Sequence, residues 1–138
     1  MTRIDAAEPE DVWASDDVLS SQYNTPICHL GHLYGIHGRE DVGVAELRCV
    51  EARTGEVKWK VADFGVAHLI LADHRLLVLK VDGTLLLVEP DARRFTKLAE
   101  AQVSSHTTRA LPALSAGRFY FRDNSGEQGA LVCLQVGR

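Results

Sequence analysis

The side chains able to do chemistry in this 138-residue chain gather in four short runs: His37, Arg39, Glu40 and Asp41; Phe64, Gly65 and His68; His106, Thr107, Thr108 and Arg109; and Arg122, Asp123 and Asn124. Imidazole, guanidinium, carboxylate and amide groups brought to one concave face could hold a small polar ligand such as a sugar, because such sites need a few convergent hydrogen-bonding groups. The competing reading is solvation: the runs lie between apolar stretches, and connecting segments are polar because they are wet. His29 and His32 flank Leu30-Gly31, with His37 beyond, a spacing that superficially suits a metal. The turn expected at Leu30-Gly31 puts His29 and His32 on adjacent strands, and no Cys or carboxylate stands at a fixed ligand offset. Strand-end histidines bonded to backbone or water are expected instead, and no metal. Asp16-Asp17 and Glu40-Asp41 are sequence neighbours that point apart in extended chain, so they are expected to solvate a surface and not to share acid–base work. No Gly-x-Ser-x-Gly, Gly-x-Gly-x-x-Gly or phosphate-loop segment occurs, and no catalytic residue is assigned. Cys28, Cys49 and Cys133 are odd in number and widely spaced. They offer neither a disulfide framework nor a Cys-x-x-Cys motif, and are expected as small buried strand residues.

The elements that must position these groups read as β-structure. From about residue 12 onward, apolar stretches of four to six residues alternate with turn dipeptides: Leu30-Gly31, His37-Gly38, Thr54-Gly55, Asp82-Gly83, Ala116-Gly117 and Ser125-Gly126. That texture predicts antiparallel strands joined by hairpins. The best helix candidate, 92–102, is short and carries Phe95 and Thr96, so no helix is expected.

An internal repeat organises the strands. Leu33, Leu76 and Phe119 stand 43 residues apart, each within a similar run, with an apolar stretch before it (26–28, 69–71, 112–114) and another after it (47–51, 85–89, 131–135). A period near 43 holding three or four strands is the signature of a β-propeller blade. A lone four-stranded sheet that is apolar on both faces can hide neither, and stacking blades hides both. The expected fold is therefore all-β and propeller-type, with about three four-stranded antiparallel blades near 25–62, 67–101 and 110–138, after a loose segment 1–11. Outer strands are expected at 56–61 and 94–99. The stretch 12–15, with Trp13 as counterpart of Trp59, is expected to complete the last blade, within the chain or across to another copy.

The segment Cys49-Val50-Glu51-Ala52-Arg53-Thr54-Gly55-Glu56-Val57-Lys58-Trp59 resembles the repeat of the quinoprotein-like (PQQ-like) β-propellers: an apolar strand, an acidic residue, Thr-Gly, and Trp four residues after the Gly. The second repeat departs from it, with Pro90-Asp91-Ala92-Arg93 and Phe95, and the third keeps only the strand 131–134. The likeness extends over roughly 12–138, and the full motif occurs once. It is similar to the last blades of bacterial outer-membrane assembly lipoprotein-like propellers. The resemblance implies structural blade docking by Trp13, Gly55 and Trp59. It also implies a ligand face built from His37, Arg39, Asp41, His68, His106, Arg109, Arg122 and Asp123. A non-catalytic scaffold or protein-binding segment without a cofactor is the leading expectation. Part of a quinone (PQQ)-dependent alcohol or sugar dehydrogenase, and a small-ligand or sugar-binding propeller, are the alternatives. Proteins of this type are often periplasmic or exported, and this chain shows no signal peptide by which to place it.

Composition narrows the partners. Fifteen Lys+Arg against nineteen Asp+Glu give a formal charge of −4, which does not favour nucleic acid. Apolar runs stop after about four residues, too short to span a membrane. Three blades leave sheet faces and edges uncovered, so the expected partners are a protein, further blades of a longer propeller, or a second copy. Two chains closing one six-bladed ring would be the simplest symmetric assembly.

Overall fold

The computed structural model describes residues 2–3, 8 and 10–137. Of the stretch expected to be loose, 1–11, it describes a short antiparallel pair, β1 (Thr2–Arg3) with β2 (Glu10–Asp11); most of the remainder lies outside the described residues. Three antiparallel sheets follow. The first contains β3 (Ile27–His29), β4 (His32–Arg39), β5 (Val44–Glu51) and β6 (Val57–Val61). The second contains β7 (Ala67–Ala72), β8 (Arg75–Lys80), β9 (Thr84–Glu89) and β10 (Thr96–Gln102). The third has three strands, β11 (Ala113–Ser115), β12 (Arg118–Asp123) and β13 (Ala130–Gln135). The protein is all-β, and no helix among the described residues is long and apolar enough to cross a membrane.

The repeat seen in the sequence is a repeat of register. Cys28 pairs with Leu33, Leu71 with Leu76, and Leu114 with Phe119, so the first hairpin of each sheet is the same hairpin 43 residues on. Each turns through two residues with positive φ: Leu30 and Gly31 (47° and 76°), Asp73 and His74 (46° and 57°), Ala116 and Gly117 (49° and 73°). Two left-handed central residues give the turn whose twist matches that of the flanking strands, so the strands can be joined this tightly.

Strand alternation then decides what each sheet buries. On β8, Leu76 and Val78 point one way, into a core shared with Tyr34, Ile36, Leu47 and Cys49 of the first sheet. Leu77 and Leu79 point the other way, toward Phe119 and Phe121 of the third. Strands β7 and β9 divide likewise: Leu69, Leu86 and Val88 join the first core, Ile70 and Leu85 the second. The second sheet is thus stacked between the other two. Its near-continuous apolar runs are what burial on both faces requires. Each fully buried Leu or Val contributes roughly 1.5–3 kcal/mol relative to exposure.

Trp59 ties the first sheet to the second. Its indole N–H donates to the Asp91 carbonyl at 2.8 Å, and its ring lies 6.1 Å from Tyr34 and 5.9 Å from Phe95 between centroids. Trp13 makes the corresponding contact one sheet earlier. Its indole N–H donates to the Ala52 carbonyl at 2.9 Å, and its ring lies over Gly55, where a Cβ would stand 3.2 Å from it. Beyond Trp13 the chain continues along the first sheet. Arg48 donates to the carbonyls of Asp17 and Val18, Ser20 N–H to His37 Nδ1, and Ser21 Oγ–H to the Ile36 carbonyl.

Four expectations change. His37-Gly38, expected as a turn, lies within β4, paired with Glu46 and Ala45. Within the chain, residues 12–15 lie at the first sheet and do not fill a fourth-strand place in the third. The outer strand of the second sheet starts at Thr96 instead of residue 94, because Asp91 Oδ1 accepts the Arg93 N–H and holds 91–93 as a turn. Cys49 is buried as expected, but Cys28 and Cys133 are exposed. They occupy strands as foreseen, but on sheet faces that no neighbouring sheet covers.

Candidate functional site

The connections at one end of the sheets assemble the polar surface. The segment 103–109 leaving β10 is pinned to the β8–β9 turn: Thr108 Oγ1–H donates to the Lys80 carbonyl at 2.7 Å and Thr108 N–H to the Val81 carbonyl at 2.9 Å. This leaves a groove of ≈ 480 Å³ lined by Asp63, Phe64, Lys80, Asp82 and Thr107, among others. A second groove of ≈ 230 Å³ shares Asp63, Phe64 and Lys80 and adds Lys97 and Glu100. Lys80 Nζ stands 3.5 Å from Asp82 Oδ2 and 5.4 Å above the Phe64 ring, so it is a paired cation on an aromatic platform. Of the grooves around Asp63, Arg39 reaches a third, ≈ 240 Å³, with Gly43 and Gly65. Lys80 and Asp63 were not singled out in the sequence, and Asp82 only as part of a turn. The available signal was a Lys closing an apolar run just before Asp82-Gly83.

The expected ligand-face residues fall into separate settings. Arg39 and Asp41 form an exposed ion pair, and the guanidinium hydrogen bond holds the Asp41 carboxyl below its ordinary value. His37 is partly buried and accepts from Ser20 N–H; burial, then the Arg48 charge, lowers its pKa. His68 is buried on β7 with Nε2 2.8 Å from the Arg109 carbonyl. Its buried Nδ1 meets no hydrogen-bond partner among the described residues, so Nε2 is the ring nitrogen that donates to the Arg109 carbonyl. Arg122 donates to Asn124 Oδ1 and the Gln128 carbonyl and stiffens its own hairpin.

Asp123 and His106 come together. Asp123 is buried and accepts from the Ser125 hydroxyl at 2.6 Å, the Ser104 hydroxyl at 2.7 Å and the Ser125 N–H at 3.1 Å. Ser104 Oγ in turn accepts the His106 N–H. The two hydroxyls and the backbone N–H pull the Asp123 pKa down to about 2. A carboxylate so weakly basic cannot activate either serine, and both hydroxyls are already committed to it. The cluster ties 104–106, between the second and third sheets, to the end of β12. Among the described residues, no group of three or more His, Cys, Asp and Glu is arranged to hold a metal.

The other distinctive surface is the outer face of the third sheet. Register places Ala113, Tyr120 and Cys133 in one row across it, as it places Ile27, Tyr34 and Cys49 in the first sheet. In the first sheet this row is covered by the second: Tyr34 is 2% and Cys49 0% exposed, and burial raises both their pKa values. In the third sheet Cys133 is exposed, and Leu131, opposite Arg122, is 76% exposed.

These features define an all-β protein of three stacked antiparallel sheets, with a polar groove at one end and a sheet face open at one side of the stack. No protein-family model matches the chain, and no curated protein matches it.

Proposed function

We propose that this chain is a propeller-type segment of PQQ-like design that works as a non-catalytic docking module, engaging protein through the outer face of its third sheet. The carrying observation is the row Ala113–Tyr120–Cys133, which repeats in type and register a row that is core one repeat pair earlier. Blade stacking explains why such a row exists: each sheet presents one face to the sheet before it and one to the sheet after it. An open face of this kind, carrying Tyr120, Leu131 and Cys133 and edged by Arg118 and Arg122, has the aromatic and arginine content of a protein interface.

Cys133 lies in that row and reports its occupancy. In cells that make the protein, a membrane-permeant maleimide should label Cys28 or Cys133 according to what covers each, with buried Cys49 as the unreactive control. Protection of Cys133 in cells, relieved in the purified dilute chain, is expected. Equal labelling of Cys133 in both settings would overturn the reading.

A small-ligand reading draws on the ≈ 480 Å³ groove, where Lys80, Asp82, Thr107 and the Phe64 ring offer the mixture of hydrogen bonds and stacking that sugars use. Calorimetry with a panel of neutral and acidic sugars, alongside pyrroloquinoline quinone with calcium, tests it. Heat that vanishes in Lys80→Met would favour this reading over docking alone.

A further inference from the structure

The chain makes the same sheet-to-sheet contact twice, and at its ends the rear surface is left open while the front surface is left without a neighbouring sheet and is covered in part by the chain's own residues 13–20. The rear surface of the first sheet (Ile27, Tyr34, Cys49) meets the front surface of the second (Leu71, Leu76, Val88). The rear surface of the second (Ile70, Leu77) meets the front surface of the third (Leu114, Phe119, Leu134). At one end of the stack stands an open rear surface, Ala113–Tyr120–Cys133. At the other stands the front surface of the first sheet, where register aligns Cys28, Leu33 and Val50. Cys28 is exposed there and Leu33 half-buried, while Val50 is fully buried and Arg48, on the same face, is held against Asp17 and Val18, so the free part of this surface is the side bearing Cys28 and Leu33.

Building on the docking reading, we propose that the occupant of the open rear surface is the front surface of a second copy of this chain, joined head to tail. Two further observations point to this occupant. First, Trp13 holds the Ala52–Gly55 turn of the first sheet as Trp59, on the outer strand of the first sheet, holds the 90–93 turn of the second. Residues 12–15 thus occupy, relative to the first sheet, the place of an outer strand of a sheet in front of it. In a head-to-tail pair that sheet is the partner copy's third, and 12–15 would lie along the edge of its β13. Second, the charges match. Positions 8–17 carry Glu8, Glu10, Asp11, Asp16 and Asp17, all exposed, and no Lys or Arg; register places Arg3 of β1 opposite Glu10, so the segment stays acidic on balance. The open rear surface presents the exposed Arg118 and Arg122. Opposite charge at the rim steers such faces together and fixes their order. A contact between two different surfaces makes a ring if its rotation closes and a filament if it does not.

Two substitutions at exposed positions test this without touching either core: Cys28→Arg on the front surface and Cys133→Arg on the rear. Sedimentation of the unaltered chain from low to high micromolar concentration should show mass rising above that of the monomer. Each variant alone should stay monomeric, while melting as the unaltered chain does at concentrations low enough that the unaltered chain is itself a monomer. An equimolar mixture should recover a dimer and go no further, because one intact front and one intact rear remain to be joined. Variants that associate as the unaltered chain does, or a mixture that recovers nothing, would overturn the head-to-tail pairing. An unaltered chain that stays monomeric while Cys133 is protected in cells would reject the second copy and keep the docking face. A monomer with Cys133 unprotected would reject both.

Discussion

The second and third sheets share a hairpin register and the same alternation of apolar positions, yet one is core on both faces and the other on one. Leu76 and Phe119 occupy equivalent sites, and both are fully buried against the preceding sheet. Their neighbours Leu77 and Tyr120 are equivalent too, but Leu77 packs into the second core while Tyr120 faces outward. Strand alternation therefore sets which side a residue takes, and in these two sheets the presence of a following sheet decides whether that side is interior.

The sharpest way to break this comparison is to truncate each member of the third sheet's pair. Phe119→Ala opens a cavity between two sheets and should destabilise by about 3–5 kcal/mol. Tyr120→Ala should cost about 1 kcal/mol or less in the dilute chain, as outward positions do. Urea unfolding at low protein concentration measures both. If the two losses are alike, the outer face is already packed. If the Tyr120 loss grows with protein concentration, the face is being covered by association.

The tryptophans give the next contrast. Trp59 lies among Tyr34 and Phe95 with its N–H satisfied by Asp91, so Trp59→Ala should cost about 3 kcal/mol or more. Trp13 holds the Ala52–Gly55 turn at the edge of the stack, by its hydrogen bond to Ala52 and its ring over Gly55, and Trp13→Ala should cost about 1–2 kcal/mol. Thermal melts of the two variants rank them. Equal losses would mean that 12–24 is bound to the first sheet as firmly as the sheets are to one another.

Much of this contrast was legible in the sequence, because it depends on local periodicities. The 43-residue spacing of Leu33, Leu76 and Phe119 reports the hairpins directly, and the Thr54-Gly55 turn with Trp59 marks a place where an aromatic reaches a neighbour. The site was less legible. Lys80, Asp63 and Thr107 share a groove only because Thr108 pins one connection to the β8–β9 turn, a tertiary fact with no sequence period. Cys28 and Cys133 sit in apolar strands like Cys49, and they are exposed because no neighbouring sheet covers their faces, which local sequence does not report.

Acid should loosen the joint between the second and third sheets. Asp123 has its pKa held near 2 in the fold, below the ordinary carboxylate value, so its ionised form stabilises the native state. That contribution is complete above about pH 4, the unfolded value, and is lost as pH falls through about 2. Asp123→Asn should lower stability at neutral pH and flatten the decline between pH 4 and 2, in melts recorded against pH. An unchanged acid slope would mean that Ser104 and Ser125 do not hold the carboxylate in solution.

The smallest effect concerns the hairpin turns and has the opposite sign. Gly31 and Gly117 take the second left-handed position in the first and third sheets without strain, whereas the second sheet places His74 there at φ 57°. A non-glycine residue in that region costs roughly 1 kcal/mol. The second sheet tolerates it because burial of both faces holds β7 and β8 together regardless of the turn. His74→Gly relieves that strain but gives up the ring contact to His29, at 5.7 Å, and widens the freedom of the unfolded chain. The balance should be a gain of about 0.5 kcal/mol or less, read as a slightly raised urea midpoint. The reverse change, Gly117→His, should cost more than His74→Gly gains, because the third sheet is packed on one face only and a Cβ at Gly117 would meet the Gly137 carbonyl oxygen at 3.1 Å. Were the two changes equal and opposite, turn strain would act independently of how many faces a sheet buries.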